Sequence, residues 1–545
     1  MSEKKEIRFS LTTFVLLLLI IGMISGLTTA IVMIGFSDNL KNEQVAVVNE
    51  TKNEVVEEKE DVKENKELDG KVFSMDFNFL KLNNKEENVI YSPLSIRYAL
   101  KMLEDGSNGT TKEQITKLVT DRALTKYESN SNLSLANVLF VRDTFKDNIK
   151  STYSNLLKTK YNAEVITDSF ASSENVNKYV SDKTLGLLQN LLPEGPIEYD
   201  YLLINALGID LEWEEKFIEV DGYHVNYSHT DFYWYTSENV LKLNNFANKN
   251  NTIAGMDIGA SVFKYDVVND LGEQNIRDTV SKAFEDWKNS DEYYVDPMYE
   301  DPNYLPDFLD TYIKELKEYY GLVEKSTEFE YFVNDDVKVF AKDLKETNNT
   351  KLQYIGIMPI NDDLKTFVEN VNDDKVNELI GNLKSFNRSE DFEEGYITRV
   401  YGFIPKFSYE YELDLKKQLN TLGVTDVFDS EKADLSNIVD LENAYINNAV
   451  HKANIEFTQD GIKAAAATFL GGAGAGEPFD HRLEMKVKDI DLTFDKPYMY
   501  LIRDVETGEI WFAGTVYEPL DIEDEPENIN QDYLGTYEYR YKNRY

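Results

Sequence analysis

Residues 461–468 read Gly-Ile-Lys-Ala-Ala-Ala-Ala-Thr, and this stretch decides how the whole chain is interpreted. Between Ile462 and Ala475 the chain has one charged residue, Lys463, and no proline. Side chains alternate between the two faces of a strand, so a strand with Ile462 facing inward would bury small or apolar residues and leave Lys463 outside. Every backbone N–H stays available to a sheet. The segment is therefore suited to enter a sheet as an added strand.

The same alanines also favour a helix, because alanine has the highest intrinsic helix propensity. The run Gly-Gly-Ala-Gly-Ala-Gly at 471–476 disfavours a longer helix. Both conformations stay open for residues 463–467, and a helix is compatible with a strand that forms only later.

The composition limits the classes of function. The chain has 545 residues, 42% of them hydrophobic, which is enough for one large domain or two to three ordinary ones. With 57 basic and 99 acidic residues the formal charge is −42, and such a surface repels phosphate backbones. There is no cysteine, which excludes disulfides, thiolate nucleophiles and cysteine-based zinc sites. No nucleic-acid partner is expected.

An uncharged apolar run, residues 9–36, follows basic residues near the N-terminus. It is longer than the roughly 20 residues that span a bilayer, so it predicts a transmembrane anchor. The basic flank places residues 1–8 in the cytoplasm. A signal peptide cut after Ala30 is the alternative. Both interpretations place the main domain outside the cytoplasm, either anchored to the membrane or secreted.

Composition divides the rest of the chain into regions. Residues 37–69 are rich in Glu, Lys and Asn and predict a flexible acidic linker. Residues 70–519 mix helix and strand patterns without a regular βαβ repeat, which favours an α+β domain. Within it, Tyr, Asp and Glu crowd together at about 248–333, as expected for an acidic, Tyr-rich surface insertion. Residues 520–545 predict a disordered tail.

Six groups of short motifs within this domain occur in the order and spacing of one known family. They are Asn88–Ile96 with Leu103–Thr111, Leu133–Val141, Leu203–Ala206 with Trp213–Phe217, Ile404–Phe407 with Leu422–Val424 and Phe428–Leu435, Val450–Ala453, and Asp495–Tyr498 with Leu501–Asp504 up to Gly514 and Pro519. Together they resemble the serpins, which are serine protease inhibitors. The resemblance implies a large mixed sheet with surrounding helices and an exposed reactive loop.

The resemblance also gives the opening stretch a role as the hinge of the reactive loop. The hinge residues are Gly461, Ile462, Lys463, Ala464, Ala465, Ala466, Ala467 and Thr468. In serpins the protease cuts about fourteen residues after the hinge glycine, and the cut loop inserts into a sheet. The count implies a reactive bond between Ala475 and Gly476 and a partner protease that prefers small residues, elastase-like or subtilisin-like. Arg482 would attract a trypsin-like enzyme, but cleavage there is expected to be ordinary substrate cleavage.

Three positions depart from the serpin pattern and leave a second function open. Gln459 and Lys463 stand where glutamate is common, and Ile462 stands where threonine or serine is usual. From the motif order and the hinge we predict a protease inhibitor that acts by cleavage and insertion of its loop. The alternative is a non-inhibitory serpin-fold ectodomain that binds or adheres through the insertion. An enzyme is not predicted, because no catalytic constellation stands out.

Four further residues, Ser92, Ser95, Asn205 and His451, resemble the hydrogen-bonded cluster beneath the opening of the serpin sheet. A satisfied core histidine is the favoured interpretation of His451, and it nearly coincides with the cluster, because a buried polar network can hold a sheet in register. A hydrolase pair is not predicted, because no nucleophile-elbow motif is present. The other histidines lack HExxH-like spacing, so neither a metal nor another cofactor is expected. We expect a monomer.

Overall fold

The structure is a computed structural model, and only part of the chain is described by it. The described residues are 75–119, 124–217, 246, 255–258, 261–263, 267–318, 323–325, 328–393, 395–447, 449, 451–458, 461–462, 479, 483 and 486–519. The predicted transmembrane segment 9–36, the linker 37–69 and the tail 520–545 lie outside these residues. Within them, no helix is long and apolar enough to cross a bilayer.

Helices occur along the whole described chain. Their bounds are α1 Met75–Leu82, α2 Pro93–Gly106, α3 Gly109–Val119, α4 Ser151–Tyr161, α5 Glu174–Lys183, α6 Val267–Leu271, α7 Glu273–Lys288, α8 Tyr304–Glu318, α9 Leu364–Asn370, α10 Asp373–Gly381 and α11 Leu415–Thr421. The start of α2 shows why a helix forms there. The Ser92 side chain accepts a hydrogen bond from the Ser95 N–H at 3.0 Å, and Pro93 fits the first turn.

Strands alternate with these helices. Their bounds are β1 Val89–Tyr91, β2 Leu133–Arg142, β3 Glu164–Asp168, β4 Tyr201–Ile209, β5 Leu211–Glu212, β6 Gly255–Asp257, β7 Ser261–Phe263, β8 Val323–Lys325, β9 Glu330–Val333, β10 Val337–Asp343, β11 Leu352–Pro359, β12 Lys384–Ser385, β13 Ile397–Tyr401, β14 Phe403–Pro405, β15 Phe407–Leu413, β16 His451–Phe457, β17 Gly461–Ile462, β18 Val487–Asp491, β19 Tyr498–Asp504 and β20 Ile510–Val516.

The largest sheet has seven strands in the order β1-β20-β19-β11-β10-β9-β12, and every neighbouring pair is antiparallel. In a smaller mixed sheet, β2 pairs in parallel with β3 and antiparallel with β4. β15 and β16 form a separate antiparallel pair. The predicted combination of helices with a large sheet is confirmed, but the parallel pairs lie in the smaller sheets.

The main hydrophobic core lies between the seven-stranded sheet, α2 and the inner faces of β4, β15 and β16. β19 and β20 are buried at every residue because both faces of the sheet are covered. A second cluster lies between α5 and the outer face of the mixed sheet, where Val176 and Val180 pack with Phe140 and Ile204. β4 therefore has apolar residues on both faces.

The insertion predicted at about 248–333 has a helical part formed by α6, α7 and α8. These helices build a core of their own, with Ile276, Val280, Phe284 and Trp287 along one face of α7. Strands β6 to β9 also fall within the predicted limits, and β9 joins the seven-stranded sheet. The limits predicted from composition are therefore wider than the helical part of the insertion.

We expect Gly514→Ala to lower the free energy of unfolding by about 2 kcal/mol. A methyl group there would clash with the Val89 carbonyl oxygen and lie 2.6 Å from Tyr500 Cζ. The control is Gly381→Ala at the end of α10, where a Cβ meets nothing within 4 Å. Thermal or denaturant unfolding measures both. Equal stability of the two variants would contradict the packing of β1 and Tyr500 against β20.

Candidate functional site

The candidate site is the gap between β4 and β16. β4 pairs with β2 and β16 pairs with β15, while in the described part of the chain no ladder pairs β4 directly with β16. Cavities of about 70 and 60 Å³ lie along this line. Residues 207–209 of β4 and 454–456 of β16 line the smaller one. The two strand edges thus face each other with unfilled space between them.

The predicted hinge begins at one end of this gap. β17 pairs antiparallel with β5, so that Gly461 lies opposite Glu212 and Ile462 opposite Leu211. β5 continues β4 after one residue, and β17 follows β16 after three residues. The first two hinge residues therefore already form a strand beside the gap.

Trp213 binds Thr458, the residue that follows β16. Its indole N–H donates a hydrogen bond to the Thr458 carbonyl oxygen at 2.9 Å. The ring is fully buried and makes edge-to-face contacts with Phe217 and Phe457 at centroid distances of 5.3 and 5.5 Å. Such a ring combines a large apolar contact with a satisfied polar group, so it holds the end of β16 in place.

The predicted cluster of Ser92, Ser95, Asn205 and His451 lines or adjoins the larger cavity. The Ser92 backbone N–H donates to His451 Nε2 at 2.9 Å. The Ser95 hydroxyl donates to the Asn205 side-chain oxygen. The structure thus brings together all four residues, which come from β16, the start of α2 and β4. The cluster connects the two strands that border the gap.

Asn137 belongs to the same cluster, and sequence reasoning missed it. It lies opposite Asn205 in the β2–β4 register and accepts a hydrogen bond from the Asn205 amide. Its own amide donates to the Tyr161 carbonyl oxygen at 2.9 Å. The available signal was a single asparagine within the apolar run of β2.

His451 is neutral in this cluster. Its side chain is buried, and burial lowers its pKa to about 4. Because Nε2 accepts the hydrogen bond from Ser92, protonation of that atom would break the contact. The imidazole therefore joins β16 to the start of α2 only in its uncharged form.

The segment 184–192 that follows α5 covers the gap from outside. At β4, a Cβ on Gly208 would lie 2.8 Å from the Thr184 carbonyl oxygen, so only glycine permits this approach. At β16, the Asn454 side-chain amide donates a hydrogen bond to the Leu187 carbonyl oxygen at 2.8 Å. Lys452 Nζ donates another to the Asn190 carbonyl oxygen at 3.0 Å. The segment is thus hydrogen-bonded to β16 and packed closely on β4, so it covers the gap.

The chain beyond the predicted reactive bond is attached to the insertion. Phe479 and Leu483 are buried in the core of α6 to α8. The Phe479 ring lies 5.2 Å from that of Phe284, 5.4 Å from that of Phe308 and 6.1 Å from that of Trp287. Sequence reasoning did not foresee this contact, although an aromatic residue after Pro478 was visible.

Much of the predicted loop lies outside the described residues. This holds for Gln459, for the hinge residues Lys463 to Thr468, and for the reactive-bond residues Ala475 and Gly476. Among the residues that the structure does describe, no group of three or more His, Asp or Glu side chains is placed to hold a metal ion.

Comparison with known families identifies the family of the chain. The model of one family, serpin (serine protease inhibitor), matches residues 71–233 and 315–519, which is more than half of the chain. This chain belongs to the serpin family. The unmatched stretch 234–314 contains α6, α7 and most of α8, so the helical insertion is an addition to the serpin fold.

The sequence matches between this serpin and its relatives extend over most of each relative's length. This serpin is 25% identical over 461 residues to the leukocyte elastase inhibitor of Xenopus laevis, covering 80% of this chain and 94% of that one. It is 25% identical over 463 residues to an uncharacterized serpin-like protein of Methanosarcina acetivorans. That match covers 80% of this chain and 83% of the relative. These relatives come from organisms as distant as a frog and a methanogen.

Solved structures share the fold of this serpin. Tengpin, a thermophilic serpin in its native state, matches with a TM-score of 0.50 and 22% identity, covering 82% of this chain and 93% of that one. Thyroxine-binding globulin in complex with thyroxine matches with a TM-score of 0.51 and 17% identity. That match covers 82% of this chain and 98% of the globulin. The members of the family are protease inhibitors as a class rather than catalysts.

We expect His451→Gln to remove a pH-dependent part of this serpin's stability. The wild-type histidine keeps its full contribution above its unfolded pKa near 6.5 and loses it as the pH falls toward its folded pKa of about 4. The loss reaches about 3 kcal/mol. Glutamine is uncharged and retains an oxygen that can accept from Ser92.

The measurement is denaturant unfolding of both proteins at several pH values between 7 and 4. The wild type should lose stability relative to the variant as the solution is acidified, and the difference between the two curves isolates His451 from the many carboxylates. Parallel curves would show that His451 is not held neutral by burial.

We expect Phe479→Ala to expose the chain around Arg482. Truncation leaves a cavity in the insertion core and weakens it by about 3–5 kcal/mol. Trypsin should then cut after Arg482 at least about tenfold faster, because local opening becomes easier. The control is Leu441→Ala, at a side chain that is 38% exposed. Mass spectrometry of the fragments gives the rates, and equal rates in both variants would contradict the anchoring of Phe479.

Proposed function

We propose that this serpin is a suicide inhibitor of a serine protease on the outer side of a membrane. The protease serine attacks the Ala475 carbonyl carbon, the bond to Gly476 breaks, and the Gly476 nitrogen leaves after taking a proton from the catalytic histidine. Ala475 stays esterified to the protease while the loop inserts between β4 and β16. The observation that carries the proposal is β17, because the hinge already pairs beside an unfilled gap.

The β17–β5 register indicates where the loop would lie after insertion. If it continues, Ala464 meets Ile209 and Ala466 meets Leu207. Directly opposite residues share a face in an antiparallel ladder. Ile209 and Leu207 are buried in the main core, so these two alanines would enter the core face. This register supports the alternation predicted from the sequence.

The same register would place two polar loop residues opposite polar residues of the strand they join. Lys463 would lie opposite Asp210, so its charge would meet a carboxylate on the outer face. Thr468 would lie opposite Asn205, where a hydroxyl group suits a hydrogen-bonded cluster. Lys463 therefore departs from the family pattern in a way that this chain can accommodate.

Two attachment points support the position of the reactive bond. The hinge is paired at Ile462, and Phe479 is buried in the insertion core, so residues 463–478 form the span between them. The Ala475–Gly476 bond falls within this span. Arg482 falls between Phe479 and Leu483, both of which are buried. Cleavage at Arg482 would therefore require the chain to be pulled out of that core.

The proposed partner is an elastase-like or subtilisin-like protease, because Ala475 suits a small specificity pocket. The similarity to a leukocyte elastase inhibitor supports this choice. The location outside the cytoplasm rests on the apolar segment 9–36 and its basic flank. We propose that the serpin acts as a monomer without nucleic acid or cofactor.

The second candidate is a non-inhibitory binding protein on the same fold. The departures at Gln459 and Ile462 and the added helices α6 to α8 favour it. Thyroxine-binding globulin, whose fold is similar, was solved with thyroxine bound. In this alternative the loop would be an ordinary protease substrate, and the insertion would carry the function.

The test is incubation of residues 70–545 with elastase-like, subtilisin-like and trypsin-like proteases. Inhibition predicts a complex that survives boiling in detergent and breaks at Ala475 on mass analysis. The loop-cleaved protein should also unfold at a higher temperature than the intact one, because an added strand fills the gap. Simple nicking by every enzyme, with no gain in stability, would favour the binding protein.

We expect Ala466→Arg to convert this serpin from inhibitor to substrate. Insertion would bury an unpaired guanidinium opposite Leu207, which costs several kcal/mol and stops the strand before trapping is complete. The matched control is Lys463→Ala, at an outward position of the same strand. Gel analysis should show loss of the stable complex, with the loop still cut, in Ala466→Arg alone. Equal complex formation by both variants would contradict the register.

A further inference from the structure

The turn between α7 and α8 carries an exposed apolar surface, which we call the tip and define as residues 294–298. Within it, Tyr294, Val295 and Met298 are 55%, 78% and 48% exposed. Only two other large hydrophobic side chains in the described part of the chain are comparably exposed, Val165 and Leu441. Single exposed apolar residues are ordinary, whereas a cluster is typical of a binding surface.

The tip is held in one conformation. The Tyr294 ring makes edge-to-face contacts with Trp287 and Tyr299, each at a centroid distance of 6.1 Å. Asp296 accepts hydrogen bonds from the Tyr299 N–H at 3.0 Å and, through its side chain, from the Met298 N–H at 2.9 Å. A surface that is ordered in advance loses little entropy on binding. The tip is therefore prepared for a partner.

Acidic residues flank the tip in the sequence. The nearby acidic residues are Asp291, Glu292, Asp296, Glu300 and Asp301. Glu300 pairs with Lys288 at 3.3 Å, which leaves the surface strongly negative as a whole. Aromatic and methionine side chains inside a charged rim are characteristic of protein interfaces. The charge suits a basic protein surface and disfavours an anionic lipid surface.

The tip lies close to Phe479, which follows the proposed reactive bond in the sequence. The Trp287 ring contacts both the Phe479 ring and the Tyr294 ring, at 6.1 Å in each case, so one indole separates the loop from the tip. Phe479 follows Gly476 by three residues, which span about 10 Å at most. A protease of about 230 residues has a radius of gyration of about 17 Å. An enzyme bound at the reactive bond would therefore reach the tip.

We propose that the tip is a second contact surface for the target protease and that it binds a basic region beside the active-site cleft. The inference rests on the proposed function, because it assigns the partner of the same reactive loop. Phe479 and Trp287 would fix the distance between the two contacts. The insertion would thus select, among proteases that accept alanine, those with a basic rim.

The test compares two variants with the wild type. The tip variant combines Tyr294→Ser, Val295→Ser and Met298→Ser, and the control is Leu441→Ser, which changes a similarly exposed apolar residue. The probes are pancreatic elastase, neutrophil elastase and subtilisin, used at about 0.01 M and about 0.5 M salt. The measured quantity is the second-order rate of loop cleavage, with or without formation of a stable complex.

We expect the tip variant to be cut about tenfold more slowly than the control by the most basic enzyme at low salt. High salt should reduce the difference, because part of the contact is electrostatic. Equal rates for the tip variant and the control with every enzyme that cuts the loop would overturn the proposal. So would self-association of the wild type that the tip variant abolishes, because the surface would then bind a second copy.

A second readout separates this proposal from the inhibitory function. Each protease is inactivated by sulfonylation of its active-site serine, and its binding to the wild type and to the tip variant is measured directly. Weaker binding to the tip variant, without any stable complex from active enzyme, would support the contact surface and reject suicide inhibition. Stable complexes, with the same binding and cleavage rates for the tip variant and the wild type, would support suicide inhibition and reject the contact surface.

Discussion

The structure depends on two strand edges that do not pair. β4 and β16 each have a partner on one side, and in the described residues no ladder connects them across the cavities between them. Backbone N–H and carbonyl groups gain free energy when paired in a sheet, so a strand that entered this gap would stabilise the molecule. Under the proposed inhibitory function, the present arrangement would be the higher-energy state, kept by a barrier until the loop is cut.

Contacts at the two ends of the gap and across it maintain this state. Trp213 holds the end of β16 at Thr458, and His451 joins the cluster at the larger cavity. The segment 184–192 is hydrogen-bonded to β16 and lies close against Gly208 of β4. None of these contacts is covalent, and the chain has no cysteine to add one. Each can open and close, which a strand insertion needs, and a disulfide across the gap would prevent it.

The insertion packs against the chain that follows the predicted reactive bond. The family match stops across 234–314, and the chain after the reactive bond places Phe479 and Leu483 in the core that those residues build. In the structure the insertion core holds Phe479 and Leu483, so it fixes the chain that follows the predicted reactive bond.

Local sequence predicted several elements well. Ser92 before proline marks the start of α2, and the first two residues of the predicted hinge, Gly461 and Ile462, form a strand. By itself the sequence determined the serpin fold, the absence of disulfides and the fitness of the hinge for a sheet, since these depend on composition, alternation and motif order. Only the tertiary structure decided that Asn137 completes the cluster, that β17 pairs with β5, and that Phe479 enters the insertion. The physical reason is distance along the chain: Ser92 and His451 are 359 positions apart, and no local pattern encodes which distant edges and rings will meet.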